Sequence, residues 1–228
     1  MTTTRADWLP YCLPLKRPWQ TSRGVLHERR GSLLRLCAGD ALVGWGDCAP
    51  LPEFGIGEAA ATALAEECAQ LDLAAQRAGQ PLAAWLSGAP QPRSLAVNAV
   101  LGAISPSTVV AAQEAVTAGF RVLKIKVGCT APQQDIAQLE ALCAALPAGI
   151  RLRLDANGAW PLATAECFLA ACRDLPLDGL EEPLQAPDAA TLGRLQDEVE
   201  FPLAIDESLH LVDHAFWQAP PVRRLSAA

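Results

Sequence analysis

The sequence predicts an α/β chain in which a small α+β unit precedes about five βα units. Three observations carry this prediction. Hydrophobic residues make up 51% of the chain and charged residues 19%, a balance that buries a core instead of leaving the chain disordered. Residues 8–48 alternate between strand-like runs and turn residues and lead into an Ala-rich helical stretch. Beyond residue 93, short β-branched or Leu-rich runs alternate with amphipathic stretches of helix length.

In the first unit, the runs 8–15, 32–38 and 41–48 read as an antiparallel sheet, with Ala38-Gly39-Asp40 as a hairpin turn. A helix is expected over 58–77, stopped by Gly79-Gln80-Pro81, and a short one over 82–86. The Gly- and Pro-rich stretch 87–92 is the linker, which divides the chain into domains 1–92 and 93–228. In the second domain the strands fall at 95–101, 122–127, 150–154, 179–182 and 203–206. Helices fall at 106–118, 132–145, 162–174, 188–199 and 212–218, and residues 223–228 read as the start of a sixth strand. Consecutive βα units imply a parallel sheet with right-handed crossovers, either doubly wound or a barrel.

Bulk properties narrow the function classes. A net charge of −7 leaves no basic surplus to release counterions, which argues against nucleic acid as a partner. No apolar run approaches the roughly 18 residues of a membrane span, and residues 1–10 lack a signal-peptide pattern, so the expectation is a soluble, cytoplasmic protein with no membrane partner. The eight cysteines contain no CxxC pair, so neither a zinc site nor a disulfide framework is expected, and they read as reduced, mostly buried hydrophobes. His27, His210 and His214 are too scattered for a metal site. Trp45 and Trp85 read as core of the first domain.

The chemistry concentrates at strand ends. In Leu123-Lys124-Ile125-Lys126-Val127-Gly128, alternation puts Lys124 and Lys126 on one face of a strand. Such a pair in a central strand depresses a lysine's pKa and makes it a base, whereas on an edge strand it is a solvated face. The next three strands end in acids: Asp155 in LRLDANGAW, Glu181 in LEEPL and Asp206 in AIDES. Each is separated from the next by the length of one βα unit, so the three converge on the C-terminal rim where α/β active sites gather. Singly, each acid equally describes a helix N-cap. Together they form a hard oxygen donor set suited to Mg²⁺. A metal so held stabilises the charge formed when a proton leaves the carbon beside a substrate carboxylate. Lys126 is the expected base and Lys124 the neighbour whose charge keeps it deprotonatable. Glu182 and Glu207, one residue beyond two of these acids, read equally as partners of a lysine or as a solvated rim.

KIK, LRLDANGAW, LEEPL and AIDESL, in this order and spacing, resemble the enolase superfamily in its muconate-lactonizing-enzyme-like branch. That superfamily pairs a lysine or histidine base with Mg²⁺ for enolisation. Within it, the stretch Gly44-Trp45-Gly46-Asp47-Cys48-Ala49-Pro50-Leu51-Pro52 and LRLDANGAW are most similar to the o-succinylbenzoate synthases of menaquinone biosynthesis. The resemblance runs over residues 8–228. It implies a partial (β/α) TIM-like barrel preceded by an α+β capping domain; in such a barrel Trp160 reads as a wall for the helix. It also implies a Mg²⁺-dependent carbon–oxygen lyase acting on a small-molecule carboxylate, with Mn²⁺ as a substitute metal. Asp155, Glu181 and Asp206 match the metal ligands, and Lys126, beside Lys124, matches the lysine that removes the α-proton and then assists loss of hydroxide. The segment 18–29 would close over the substrate.

Three departures accompany the match. The family's further lysine on the sixth barrel strand would fall beyond Ala228, so the chain is expected to be catalytically incomplete on its own. Glu66 leads into Leu71-Asp72 with little of the insertion that relatives carry, and Asp47 stands where many relatives have Glu. Dipeptide epimerases, N-acylamino acid racemases and cycloisomerases share the same triad and lysine pair, and remain alternatives for the reaction.

Overall fold

The computed structural model describes residues 5–21, 24–39, 41–52, 55–90, 94–211 and 214–225. The chain divides into two compact units, 1–95 and 96–228. Residues 91–93, where the sequence puts the domain boundary, lie outside the described residues.

The first unit is a three-stranded antiparallel sheet in sequence order, β1 (Arg5–Thr21), β2 (Gly24–Cys37) and β3 (Val43–Cys48). It also contains α1 (Glu58–Arg77) and α2 (Leu82–Ser87). The sequence understates β1 and β2. Residues read as a closing loop continue both strands, pairing Trp19 with Leu26 and Thr21 with Gly24. A register shift between Pro14 and Trp19 absorbs prolines that cannot donate to the ladder, and hides the strand from an alternation reading. Residues 22–23 of that segment lie outside the described residues.

Helix α1 lies on β3 at backbone contact distance. A Cβ on Gly44 would stand 2.1 Å from the Ala69 carbonyl oxygen, and one on Gly46 1.9 Å from that of Ala65. The helix presents Ala61, Ala65 and Ala69, at i, i+4 spacing and all buried, so small residues on both elements make the approach. This close packing sends the alternate residues of β3 outward, and Trp45, read as core, is 44% exposed. Trp85 is half-buried. Tyr11 Oη donates to Asp47 Oδ1 at 2.8 Å, and Arg29 donates to the carbonyls of Ala49 and Pro50, both at 2.7 Å, so the Gly-Trp-Gly-Asp-Cys-Ala-Pro run is tied down from β1 and β2.

The second unit contains a six-stranded parallel sheet, β4 (Ala99–Ala103), β5 (Val122–Lys126), β6 (Arg151–Asp155), β7 (Leu177–Glu181), β8 (Leu203–Ile205) and β9 (Arg224–Leu225). Between the strands run α3 (Thr108–Thr117), α4 (Pro132–Ala145), α5 (Leu162–Ala171), α6 (Ala189–Asp197) and α7 (His214–Gln218). Each strand pairs with the next in sequence order. A doubly wound sheet reverses its order at a switch point; this one does not, and the unit is a partial (β/α) barrel.

Leu123, Ile125, Leu152 and Leu154 form the covered face of the sheet, packed with Leu139, Leu142 and Phe168 from the helices. Trp160 joins this core, its ring 4.2 Å from that of Phe168. An extra residue on β7 between the Leu152–Leu177 and Arg153–Gly179 pairs coincides with Asp178, which accepts hydrogen bonds from Arg153 and Arg224, both at 2.7 Å. That carboxylate ties the two-residue β9 to β6 and β7.

All eight cysteines are free, but only Cys48 and Cys172 are buried, whereas Cys12, Cys129 and Cys167 are exposed. The expectation of mostly buried thiols fails because several sit on outward faces of strands and helices. Among the described residues no helix is long and apolar enough to cross a membrane.

Candidate active site

Strand β5 sets the frame. Leu123 and Ile125 are fully buried against the helices, so alternation turns Lys124 and Lys126 to the opposite face. In register, Lys126 lies beside Asp155, and Asp155 beside Glu181, which ranks one lysine and two acids across the ends of three adjacent strands. Both acids are buried, at 4% and 3% exposure. Lys124 sits between them: its Nζ donates to Glu181 Oε2 and lies 3.0 Å from Asp155 Oδ2.

Burial works against the charge on Lys124, but Glu181 and Asp155 outweigh it and hold the ammonium above the usual lysine range. Lys124 is therefore the charged member of the pair, as the sequence expects of the neighbour of the base. The acids, not a second ammonium, set the state of Lys124.

Lys126 meets different partners. Its Nζ donates to Asn157 Oδ1 at 2.7 Å, and Asn157 Nδ2 donates to Glu207 Oε1 at 2.6 Å. Asn157 has φ +46° and turns the chain back so that its own N–H reaches Asp155 Oδ1 at 3.2 Å.

Asp206 is the first residue after β8 and opens a 3-10 turn, Glu207–Leu211. Glu182, 2% exposed and at φ +43°, holds this loop. Its carboxylate accepts the backbone N–H of Asp206 at 2.6 Å and that of Ser208 at 2.8 Å, and also the Ser208 hydroxyl at 2.8 Å. Burial pushes the Glu182 carboxyl up, although these hydrogen bonds pull the other way. The Asp206 carboxyl is pushed up to about 6, first by burial and then by the charges of Glu207, Glu181 and Asp155, with Lys124 opposing.

The structure therefore brings Lys124, Asp155 and Glu181 into direct contact and places Asp206 within their electrostatic reach. Lys126 is held through Asn157, whose own N–H joins it to Asp155. Among the described residues no three His, Cys, Asp or Glu side chains stand close enough as they are to hold a metal ion, since Lys124 bridges two of the acids. The donor chemistry nonetheless fits a hard divalent cation. All three candidates are carboxylates, and Asp206 lies in the field of three further acids, Glu207, Glu181 and Asp155.

Sequence reasoning misses Asn157 as the partner of Lys126. The position of Asn157, two residues beyond a strand-end acid, is the available signal. Glu182 binds backbone instead of a lysine or solvent, because its left-handed conformation turns it inward.

Residues 107–217 match the family described as Enolase C-terminal domain-like. The o-succinylbenzoate synthase of Thermosynechococcus vestitus is 34% identical over 224 residues, covering 90% of this chain and 69% of that protein. The chain belongs to the enolase superfamily. The solved o-succinylbenzoate synthase of Thermosynechococcus elongatus, complexed with Mg in the active site, aligns with TM-score 0.67 over 90% of this chain and 69% of that one. The L-Ala-D/L-Glu epimerase of Bacillus subtilis is 25% identical over 257 residues, 95% of this chain and 69% of that protein. Its substrate-liganded structure aligns with TM-score 0.81 at 21% identity, over 99% of this chain and 74% of that one, a likeness of fold.

Proposed function

We propose that this chain carries the base and the Mg²⁺ cradle of an o-succinylbenzoate synthase-type lyase of menaquinone biosynthesis. The observation that carries the reading is the rank of Lys126, Asp155 and Glu181 across adjacent strand ends, in a chain 34% identical to a synthase. The chain spans 69% of that relative, so the proposal concerns this part of the site.

Asp155, Glu181 and Asp206 would hold Mg²⁺, which when bound supplies positive charge against the negative charge that builds on a substrate carboxylate as its α-proton leaves. Lys126 takes that proton as the C–H bond breaks, and returns it to the departing hydroxyl, so that water leaves and a double bond forms. Lys124 stays charged between Asp155 and Glu181 and fixes their orientation.

A second reading, dipeptide epimerisation, has its own support: a hydrophobic dipeptide epimerase of Enterococcus faecalis is 34% identical over 151 residues, 66% of this chain and 42% of that protein. The deciding experiment supplies Mg²⁺ with either the cyclohexadiene carboxylate precursor or an Ala-Glu dipeptide. Loss of water from the precursor, abolished by Lys126→Ala, supports the lyase. Turnover of dipeptides alone transfers the site to the epimerases. Because the chain spans 69% of the synthase, the assay also uses a version continued to the synthase's full length, and turnover of neither substrate by that version overturns both readings.

A further inference from the structure

Lys124 and Lys126 share one face of β5 but are held by unlike chemistry. Two carboxylates grip Lys124, whereas Lys126 Nζ gives one hydrogen bond to a neutral amide oxygen, Asn157 Oδ1, at 2.7 Å. The other end of that amide, Nδ2, donates to Glu207 Oε1 at 2.6 Å. The two contacts depend on each other. Turning the amide over would set a donor against the lysine and an oxygen against the carboxylate, two repulsive contacts in place of two hydrogen bonds. Glu207 Oε1 takes the N–H end of the amide, so this contact fixes which end of Asn157 faces the lysine.

We propose that Glu207 and Asn157 are positioning residues for Lys126, with Glu207 acting through the Asn157 amide. The relay reaches from the turn after β8, past the end of β6, to the end of β5. It therefore ties the loop that carries Asp206 to the lysine, and Asn157 N–H to Asp155 Oδ1, at 3.2 Å, ties the relay to the acid rank as well. The relay engages one N–H of Lys126, whereas two carboxylates engage Lys124. The left-handed backbone at Asn157, φ +46°, suits asparagine and brings the short amide within reach of both partners.

The catalytic meaning of the relay rests on the proposed role of Lys126, but its geometry is testable without turnover. Lys16, Lys124 and Lys126 are the chain's lysines, so lysine-¹⁵N labelling gives a simple side-chain spectrum. Three variants of the full chain are compared with wild type. Asn157→Gly deletes the amide while tolerating the left-handed backbone; Glu207→Ala deletes the acceptor; Glu207→Gln keeps an oxygen acceptor for Asn157 Nδ2.

The expected result is that proton exchange at Lys126 Nζ quickens by about tenfold in Asn157→Gly and Glu207→Ala, the scale of one lost charge-assisted hydrogen bond. It should return towards wild type in Glu207→Gln, with Lys16 and Lys124 unchanged. An unchanged Lys126 signal in Glu207→Ala overturns the relay. So does equal damage in Glu207→Gln, or a parallel change at Lys124, which would mark general loosening. In a turnover assay with the precursor, Glu207→Ala should lower kcat with little change in KM. If a version continued to the synthase's full length turns over neither substrate, the reaction assignment fails while the Lys126 spectrum still decides the relay.

Discussion

Replacing Glu182 by Ala should loosen the loop that carries Asp206, at a cost set by three hydrogen bonds. The Glu182 carboxylate accepts from Asp206 N, Ser208 N and Ser208 Oγ at 2.6, 2.8 and 2.8 Å, at a residue 2% exposed. Truncation leaves these donors facing a void. A buried donor without a partner costs about 1–3 kcal/mol, and relaxation towards water recovers part of it, so a total of about 3–5 kcal/mol is expected. For a chain of this size that lowers Tm by roughly 10 °C. Glu182→Gln is the sharper control. Its amide oxygen still accepts both N–H groups, and the Ser208 hydroxyl can rotate to accept from the amide nitrogen, so the cost should be near about 1 kcal/mol. Urea unfolding at pH 7 with a common m-value reads the difference. If Ala and Gln variants agree within about 0.5 kcal/mol, the carboxylate does not hold the loop and the reasoning is wrong.

Two further outcomes follow from packing and charge. Gly46→Ala puts a methyl 1.9 Å from the Ala65 carbonyl oxygen, so β3 and α1 must separate, and overpacking of this kind costs about 1–3 kcal/mol; a thermal melt unchanged from wild type would contradict the close approach. Asp178 is held below the usual carboxylate range: burial opposes the charge, but the hydrogen bonds of Arg224 and Arg153 outweigh it. A lowered pKa in the fold means that its stabilisation is full above the unfolded value of about 3.9 and is lost as pH falls through the lower folded value. Asp178→Asn should therefore lose less stability than wild type between pH 5 and the acid limb, checked by urea midpoints along a pH series of about 2 to 6. An equally steep acid loss in the variant would remove Asp178 from the account.

Much of the fold is written in periodicity. Helix α1 begins and ends where the Ala-rich run and Gly79-Gln80-Pro81 put it, and α4 where Pro132 and the run to Ala145 put it. The strand-end positions of Asp155 and Glu181 follow from alternation against buried leucines, a local rule that a buried parallel sheet enforces. The order of the strands does not follow from that rule, which is why doubly wound and barrel sheets stay open until pairing is seen.

What escapes the sequence depends on contacts remote along the chain. The β1–β2 arm is concealed by prolines and charged residues that only pairing explains. Trp45 is misjudged because Gly44 and Gly46, not the tryptophan, face α1. At the site, the lysine pair looks like two repelling cations until Glu181 and Asp155 are seen around one of them. The left-handed turns at Asn157 and Glu182 leave no mark in composition, yet they decide which residues reach Lys126 and Asp206.

Calorimetric titration with Mg²⁺ tests the central claim most directly. The wild-type chain should bind the cation at one site, and Asp206→Asn should weaken that binding by at least about tenfold, since one of three anionic ligands loses its charge. Absence of binding by the wild-type chain, or binding unaffected by Asp206→Asn, would contradict the assignment of these strand-end acids as a metal cradle.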